Sequence, residues 1–274
     1  MVAEVRKLSF GDAVFLSHTV RSAEPSQRTN MPTFARTVTP ETLEQLQQLD
    51  TCAVSNAIEQ FRVRTRNEGF VNGTVRCIFP HLPPTVGYAA TARIRSSATP
   101  IAGRCYYDRA DWWSYVLTIP PPRFIVAKDV DDRPGVGALF GEIHANICRA
   151  LDCCAYVTNG AVRDLPGIEA AGFQVFAGSL AVSHAYAHVV EFGEPVEIGG
   201  LRIRSGDLLH GDMHGVHSIP ISIAPEIPKV VSEMAEMEKE LISFCRSNHF
   251  SLPKLMERIQ RVSNKLSMPG EDSK

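Results

Sequence analysis

Arg163 and Asp164 stand side by side at the end of the run Thr158-Asn159-Gly160-Ala161-Val162-Arg163-Asp164. The apolar triplet Ala155-Tyr156-Val157 precedes the run, so the pair falls where a strand opens into a loop, a common place for chemistry. Arginine presents a planar fork of donors that grips a carboxylate bidentately. Aspartate presents a hard oxygen ligand for a divalent cation. A 2-oxo acid held against Mg²⁺ needs both. A plain surface ion pair uses the same two residue types, so the neighbouring segments decide between the readings.

One such segment is Gly135-Val136-Gly137-Ala138-Leu139-Phe140-Gly141-Glu142-Ile143-His144. Its glycines predict a flexible loop. Leu139, Ile143, Ile147 and Leu151 then recur at the spacing of one helix face. Gly141, Glu142, Ile143 and His144 are thereby expected in or near a first helical turn, where unpaired backbone N–H groups favour an anion. Glu142 at such a turn either stabilises the helix dipole or orients a water for proton transfer.

Histidine offers a rival chemistry. His184 and His188 are one helical turn apart in number, and His210, His214 and His217 follow. Zinc prefers nitrogen ligands of this kind. The stretch from His210 to His217 spans a strand and a turn, however, and the spacing does not predict that those rings meet. Packing or pocket-lining roles are expected for them, with His184 and His188 near the rim of the site.

The elements that must position these residues follow from the chain's pattern. Of 274 residues, 44% are apolar and 21% charged, ordinary for a globular protein with a real core. The net charge of −2 supplies no basic field for nucleic acid or anionic lipid. The N-terminus shows no apolar secretion signal, and the longest uncharged stretch, Ala170 to Ser183, is too short for a bilayer span. Seven cysteines without a spaced framework fit reduced thiols in a cytoplasmic protein. Gly-x-Gly-x-x-Gly, Walker and Gly-x-Ser-x-Gly patterns are absent from the sequence.

Residues 1–38 read as an N-terminal extension, 39–246 as the catalytic domain and 247–274 as a helical tail. Thr39-Pro40-Glu41 opens a helix, and a second runs from Cys52 to Phe61. Strands are expected at Val86–Arg95, Phe124–Ala127 and Phe173–Phe176, with helices at Arg109–Leu117 and Pro166–Ala171. Val196-Glu197-Ile198 and Leu201-Arg202-Ile203 flank Gly199-Gly200 as a hairpin. Leu208-Leu209, a turn at Asp212-Met213-His214-Gly215, and Val216–Ile219 continue that pattern. Pro225–Cys245 and Ser251–Leu266 close the chain as helices. Alternating helices and strands, then hairpins, predict a layered α/β sandwich with a mixed sheet.

From Gly141 to Pro220 the chain resembles the RraA-like family, the regulators of ribonuclease E activity A together with 4-hydroxy-4-methyl-2-oxoglutarate aldolases. Three stretches carry the resemblance: Gly141-Glu142 with Asn159-Gly160-Ala161-Val162-Arg163-Asp164; Gly172-Phe173-Gln174-Val175-Phe176-Ala177; and Pro195 to Leu201 with Ser205-Gly206-Asp207-Leu208 and Asp212-Met213-His214-Gly215-Val216. The resemblance implies a swivelling α/β/α fold and a homotrimer or hexamer with sites between subunits. It implies that Arg163 binds the substrate carboxylate, that Asp164 ligates Mg²⁺ or Mn²⁺, and that the backbone of Gly141, Glu142, Ile143 and His144 cradles a small 2-oxo acid. The activity implied is metal-dependent cleavage or decarboxylation through a pyruvate enolate; the family's regulatory branch implies instead a non-enzymatic partner of a ribonuclease. Asn159 stands where the family usually has Asp, Gly167 where the aldolases tend to carry an acid, and Glu142 where many members have Asp.

Overall fold

Local chemistry starts most elements. The structure, a computed structural model, describes residues 37–100 and 109–266; the expected N-terminal extension lies almost wholly outside them. Helix α1 (Pro40–Gln47) begins as expected: the Thr39 side chain accepts from Thr42 N at 3.2 Å, and Pro40 takes a position that needs no N–H. Asp50 caps α2 (Thr51–Gln60) by accepting from Ala53 N at 2.9 Å. Strands β1 (Arg76–Cys77) and β2 (Thr85–Arg95) follow, then α3 (Ala110–Val116) and β3 (Arg123–Asp129). The central segment contains β4 (Ala138–Phe140), α4 (Glu142–Ala150), β5 (Cys153–Thr158), β6 (Ala161–Val162), α5 (Leu165–Ala170), β7 (Gln174–Ala177) and β8 (Ser179–Leu180). The last part runs β9 (His188–Phe192), β10 (Val196–Ile198), β11 (Leu201–Ile203), β12 (Leu208–Asp212), β13 (Gly215–Ile219), α6 (Ile227–Cys245) and α7 (Leu252–Leu266).

The large sheet is mixed, in the order β1-β7-β5-β3-β2-β12-β13, with β9 also on β2. Strands β2, β3, β5 and β7 are parallel, and the flanking pairs antiparallel. Residues of the parallel strands are buried on both faces, which is why they read as continuous apolar runs. Helical residues Leu46, Val54, Trp112, Cys148, Ile168 and Ile227 join one core cluster. Val196, Ile198, Leu201 and Ile203 of the β10–β11 hairpin join a second with Phe124, Val126 and Val157. The sheet curls enough for β7 to approach β12: a Cβ on Gly211 would lie 2.7 Å from the ring of Phe176. The α/β class, the mixed sheet and the helix after residue 250 match the sequence reading.

Two details differ. Leu139 is not on the α4 face but in β4, so its spacing to Ile143 joins a strand to a helix. A three-stranded parallel sheet, β4-β6-β8, was not expected. Its strands have two or three residues each, too few to show any period.

Candidate functional site at three parallel strand ends

The small sheet gathers the predicted residues. Gly141 follows β4, Arg163 and Asp164 follow β6, and the stretch leading to His184 follows β8. All three strands run parallel, so these residues emerge together at their C-terminal ends, where open α/β sheets bind ligands. Arg163 N donates to Phe140 O at 3.1 Å, which ties the two loops at their roots. Phe140 is anchored in turn by stacking on Tyr156 at 4.1 Å and Phe173 at 5.4 Å between centroids.

Asp164 adopts the left-handed conformation, φ 55°, which Asp tolerates better than most residues. It occupies the N-cap position of α5, yet its side chain makes no capping bond. The carboxylate turns to the site instead. Oδ1 accepts from Arg163 Nε at 3.1 Å, and Oδ2 sits where a Cβ on Gly141 would be, 2.6 Å away. Such a Cβ would also lie 3.2 Å from Arg163 Cγ. Gly141 is therefore required for space, its φ of −150° being open to any residue. With Nε occupied, the terminal nitrogens of Arg163 are the part of the fork that could take an anion.

Gly141 is also the N-cap of α4, again without a side-chain cap. The start of α4 therefore lies beside the Arg163–Asp164 pair, since a Cβ on Gly141 would meet both side chains. Glu142 and Ile143 are exposed and His144 is buried. Glu142 folds over α5: a Cβ on Gly167 would meet its carboxyl carbon at 2.5 Å. His144 packs on Trp113 and Phe140, with ring centroids 5.9 and 6.0 Å away. Burial, and then the neighbouring His184, push its imidazole down to about 4, so it is neutral near pH 7. His184 donates from Nδ1 to Ala138 O at 2.7 Å, which places it beside β4. His188 starts β9, opposite Arg95 on β2.

Sequence reasoning missed the support beneath this corner. Asn159 Nδ2 donates to Asp129 O at 2.9 Å, and Asn159 Oδ1 accepts from Asp129 N at 2.8 Å, so one amide clamps the ends of β3 and β5. A carboxylate could accept there but not donate, which gives Asn159 a reason to replace the family's usual acid. Asp129 in turn accepts from Gly135 N at 2.8 Å and Asp131 N at 3.0 Å and shapes the glycine loop before β4. Burial raises its carboxyl, partly offset by those amides.

The C-terminal histidines correct the spacing argument. The β12–β13 register sets His210 opposite His217, with His217 Nε2 and His210 Nδ1 3.3 Å apart. His214 lies at the turn and reaches Asp212 Oδ1 at 3.1 Å. Even so, no cluster of three or more metal-binding side chains occurs among the described residues. Mg²⁺ keeps most of its waters, so an exposed carboxylate such as Asp164 fits it as a lone protein ligand. A cavity of about 610 Å³ lies between α6 and α7. Its lining, Glu240, Arg258 and Arg261 among others, belongs to surface helices and offers no comparable convergence of amides, fork and acid. No helix among the described residues is long and apolar enough to cross a membrane.

The fold is shared with a solved member of the RraA proteins. The chain belongs to the RraA-like family, whose model matches residues 51–217, more than half of it. A Halalkalibacterium halodurans protein named "Putative 4-hydroxy-4-methyl-2-oxoglutarate aldolase" is 31% identical over 84 residues, covering 30% of this chain and 40% of that protein. A Pseudomonas syringae pathovar tomato protein of known structure is 18% identical with TM-score 0.64, over 87% of this chain and all of that one. Streptomyces coelicolor RraAS2, described as an unusual member of the RNase ES inhibitor RraA protein family, is 18% identical with TM-score 0.57, over 76% and 98%. At those identities the two structures establish the fold.

Proposed function

We propose that the chain is a divalent-metal-dependent carbon–carbon lyase acting on small 2-oxo acids, of the 4-hydroxy-2-oxo acid aldolase and oxaloacetate decarboxylase type. The observation that carries this reading is the missing side chain at Gly141, whose space is filled by Asp164 Oδ2. It lets backbone amides, a guanidinium and a carboxylate meet at one exposed point.

In this reading the amides of Gly141 to His144 bind the negative end of the substrate. Arg163 takes its carboxylate with the terminal nitrogens and keeps fixed positive charge where the pyruvate enolate develops. Preorganised groups of that kind are worth about 3 kcal/mol in the transition state. Asp164 would hold Mg²⁺ or Mn²⁺, which when bound supplies Lewis acidity to the 2-oxo group. Glu142 orients the water that takes the proton from the substrate hydroxyl. Its carboxylate occupies the space above Gly167, so this chain supplies from α4 an acid that the aldolases tend to carry on α5. Neutral His144 packs beneath the turn and contributes no charge to it.

The corner has an apolar surround: Ile143, Leu180 and Val182 are 55%, 59% and 95% exposed. Large apolar side chains left this exposed gain most from burial against a partner. We assign it to further copies of the chain, in a homotrimer or hexamer that encloses the site. The same surround favours the second reading, a non-enzymatic regulator that binds a ribonuclease.

Oxaloacetate loss and pyruvate formation by the purified protein test the two. Chelator should abolish turnover, and Mg²⁺ or Mn²⁺ should restore it. Full activity in excess chelator would remove the metal assignment. Wild type and Asp164→Ala both matching a metal-only blank would remove the lyase reading for this substrate class and favour the regulator.

A further inference from the structure

The face of the large sheet that carries the second core cluster ends in charge. Along β2 and β3 the register pairs Ala89 with Phe124, Thr91 with Val126 and then Arg93 with Lys128. Residues two apart on a strand share a face, so Arg93 and Lys128 stand side by side, and Asp129 of the Asn159 clamp turns to the other face. Like charges set beside each other in this way destabilise a sheet unless they are countered. Arg93 is countered: it donates from Nη1 to Glu191 Oε2 at 2.5 Å and from Nη2 to Pro195 O at 3.1 Å. Lys128 is half-buried, and among the described residues it has no ion-pair partner. Lysine is seldom withdrawn from water without one.

Arg93 and Lys128 line a cavity of about 350 Å³, within the range of about 300–1,000 Å³ usual for small-ligand sites. Val130, Pro195, Val196, Glu197 and Arg202 complete its lining. Arg202 on β11 is the cross-strand partner of Glu197 on β10, yet the two make no ion pair. Three cations therefore meet two acids here, Glu197 and the Glu191 already taken by Arg93. Lys128 from the sheet and Arg202 from the hairpin are the two cations without an acid of their own. Val130, Pro195 and Val196 add apolar surface to the same lining.

We propose that this cavity is a second anion site, for a small organic acid with a carboxylate at each end of a short carbon chain. One carboxylate takes Lys128 and the other Arg202, and the chain between them covers Val130, Pro195 and Val196. A single carboxylate would leave one of the two cations unmet, and Glu197 disfavours ligands of higher charge. The site does not depend on the chemistry proposed for the Arg163–Asp164 corner.

Succinate and acetate are the probes. The corner is itself assigned a carboxylate, so calorimetric titration uses the full-length protein carrying Arg163→Ala, in excess chelator. Succinate should bind at least about tenfold tighter than acetate, a difference of about 1.4 kcal/mol. Lys128→Met should weaken succinate by at least about tenfold, and so should Arg202→Met, an exposed position whose change leaves the circular dichroism spectrum as it was. Lys254→Met, on α7, should leave succinate affinity unchanged. No succinate binding, equal affinity for acetate, affinity that survives Arg202→Met or a folded Lys128→Met, or an equal loss in Lys254→Met would each overturn the proposal.

Discussion

Asp164 and Asp212 are the same residue type in opposite employment. The Asp212 side chain is 6% exposed, while that of Asp164 is 38% exposed. Asp212 accepts from Thr51 N at 2.8 Å, Thr51 Oγ1 at 2.6 Å, the backbone N of His214 at 2.8 Å and His214 Nδ1 at 3.1 Å. Burial raises its carboxyl, yet those bonds outweigh it and the net effect is downward. Two of these bonds tie the start of α2 to the β12–β13 hairpin, and two hold the hairpin's own turn. Asp164 holds a left-handed backbone, declines the cap of α5 and accepts one hydrogen bond, from its neighbour Arg163. A buried carboxylate bonded through both oxygens stabilises a fold. One kept exposed in a strained backbone is available for chemistry.

Exchange of each acid for its amide should sharpen that contrast most. Asp164→Asn keeps the left-handed backbone accessible, so we predict at least about a hundredfold loss of metal-dependent turnover with little change in stability. Asp212→Asn should do the reverse, a loss of about 1–3 kcal/mol in denaturant unfolding with turnover per folded molecule retained. Matching effects on both properties in both variants would erase the distinction. Gly141→Ala comes next: the methyl must displace Asp164 Oδ2, and we expect more than tenfold loss in kcat at unchanged secondary structure. Arg163→Lys keeps charge but not the fork, with an expected loss of about tenfold in kcat/KM. Wild-type kinetics there would make Arg163 a structural residue.

The smallest effect is on stability against pH. The imidazole of His144 sits near 4 in the folded chain against 6.5 when free, so the unfolded state takes up the proton first as pH falls. Its contribution is complete above about pH 6.5 and declines through the window down to about 4. Between pH 7 and 5.5 we predict a loss of about 1 kcal/mol, which His144→Phe should remove from the slope. His210 and His217 are shifted in the same direction and add to it. Unfolding curves that coincide at the two pH values would count against a neutral buried His144.

The chemistry-bearing pair was legible from sequence because residue type and strand-end position are local properties. Thr39-Pro40 and Gly199-Gly200 were legible for the same reason. What positions the pair was not. The short strands β4, β6 and β8 leave no pattern, and Leu139 fell by chance on the spacing of the next helix. The left-handed Asp164 and the Asn159–Asp129 clamp depend on partners far along the chain. The His210–His217 contact was recoverable. A turn at Met213-His214 pairs Asp212 with Gly215, and counting outward brings those two rings opposite.

The Asn159 clamp has a consequence for the lifetime of the molecule. Asn-Gly is the dipeptide most prone to spontaneous loss of the side-chain amide, because the unhindered glycine nitrogen attacks the asparagine carbonyl. Here the Gly160 N–H is held by Thr158 Oγ1 at 2.9 Å, and both ends of the Asn159 amide are tied to Asp129. Attack requires those bonds to break together, so ageing at this position proceeds only while β3 and β5 are parted. The slow appearance of aspartate and isoaspartate at residue 159, followed by peptide mass spectrometry, should then keep time with openings of the sheet under the site. Conversion as fast as in the free peptide would show that the clamp gives no such protection.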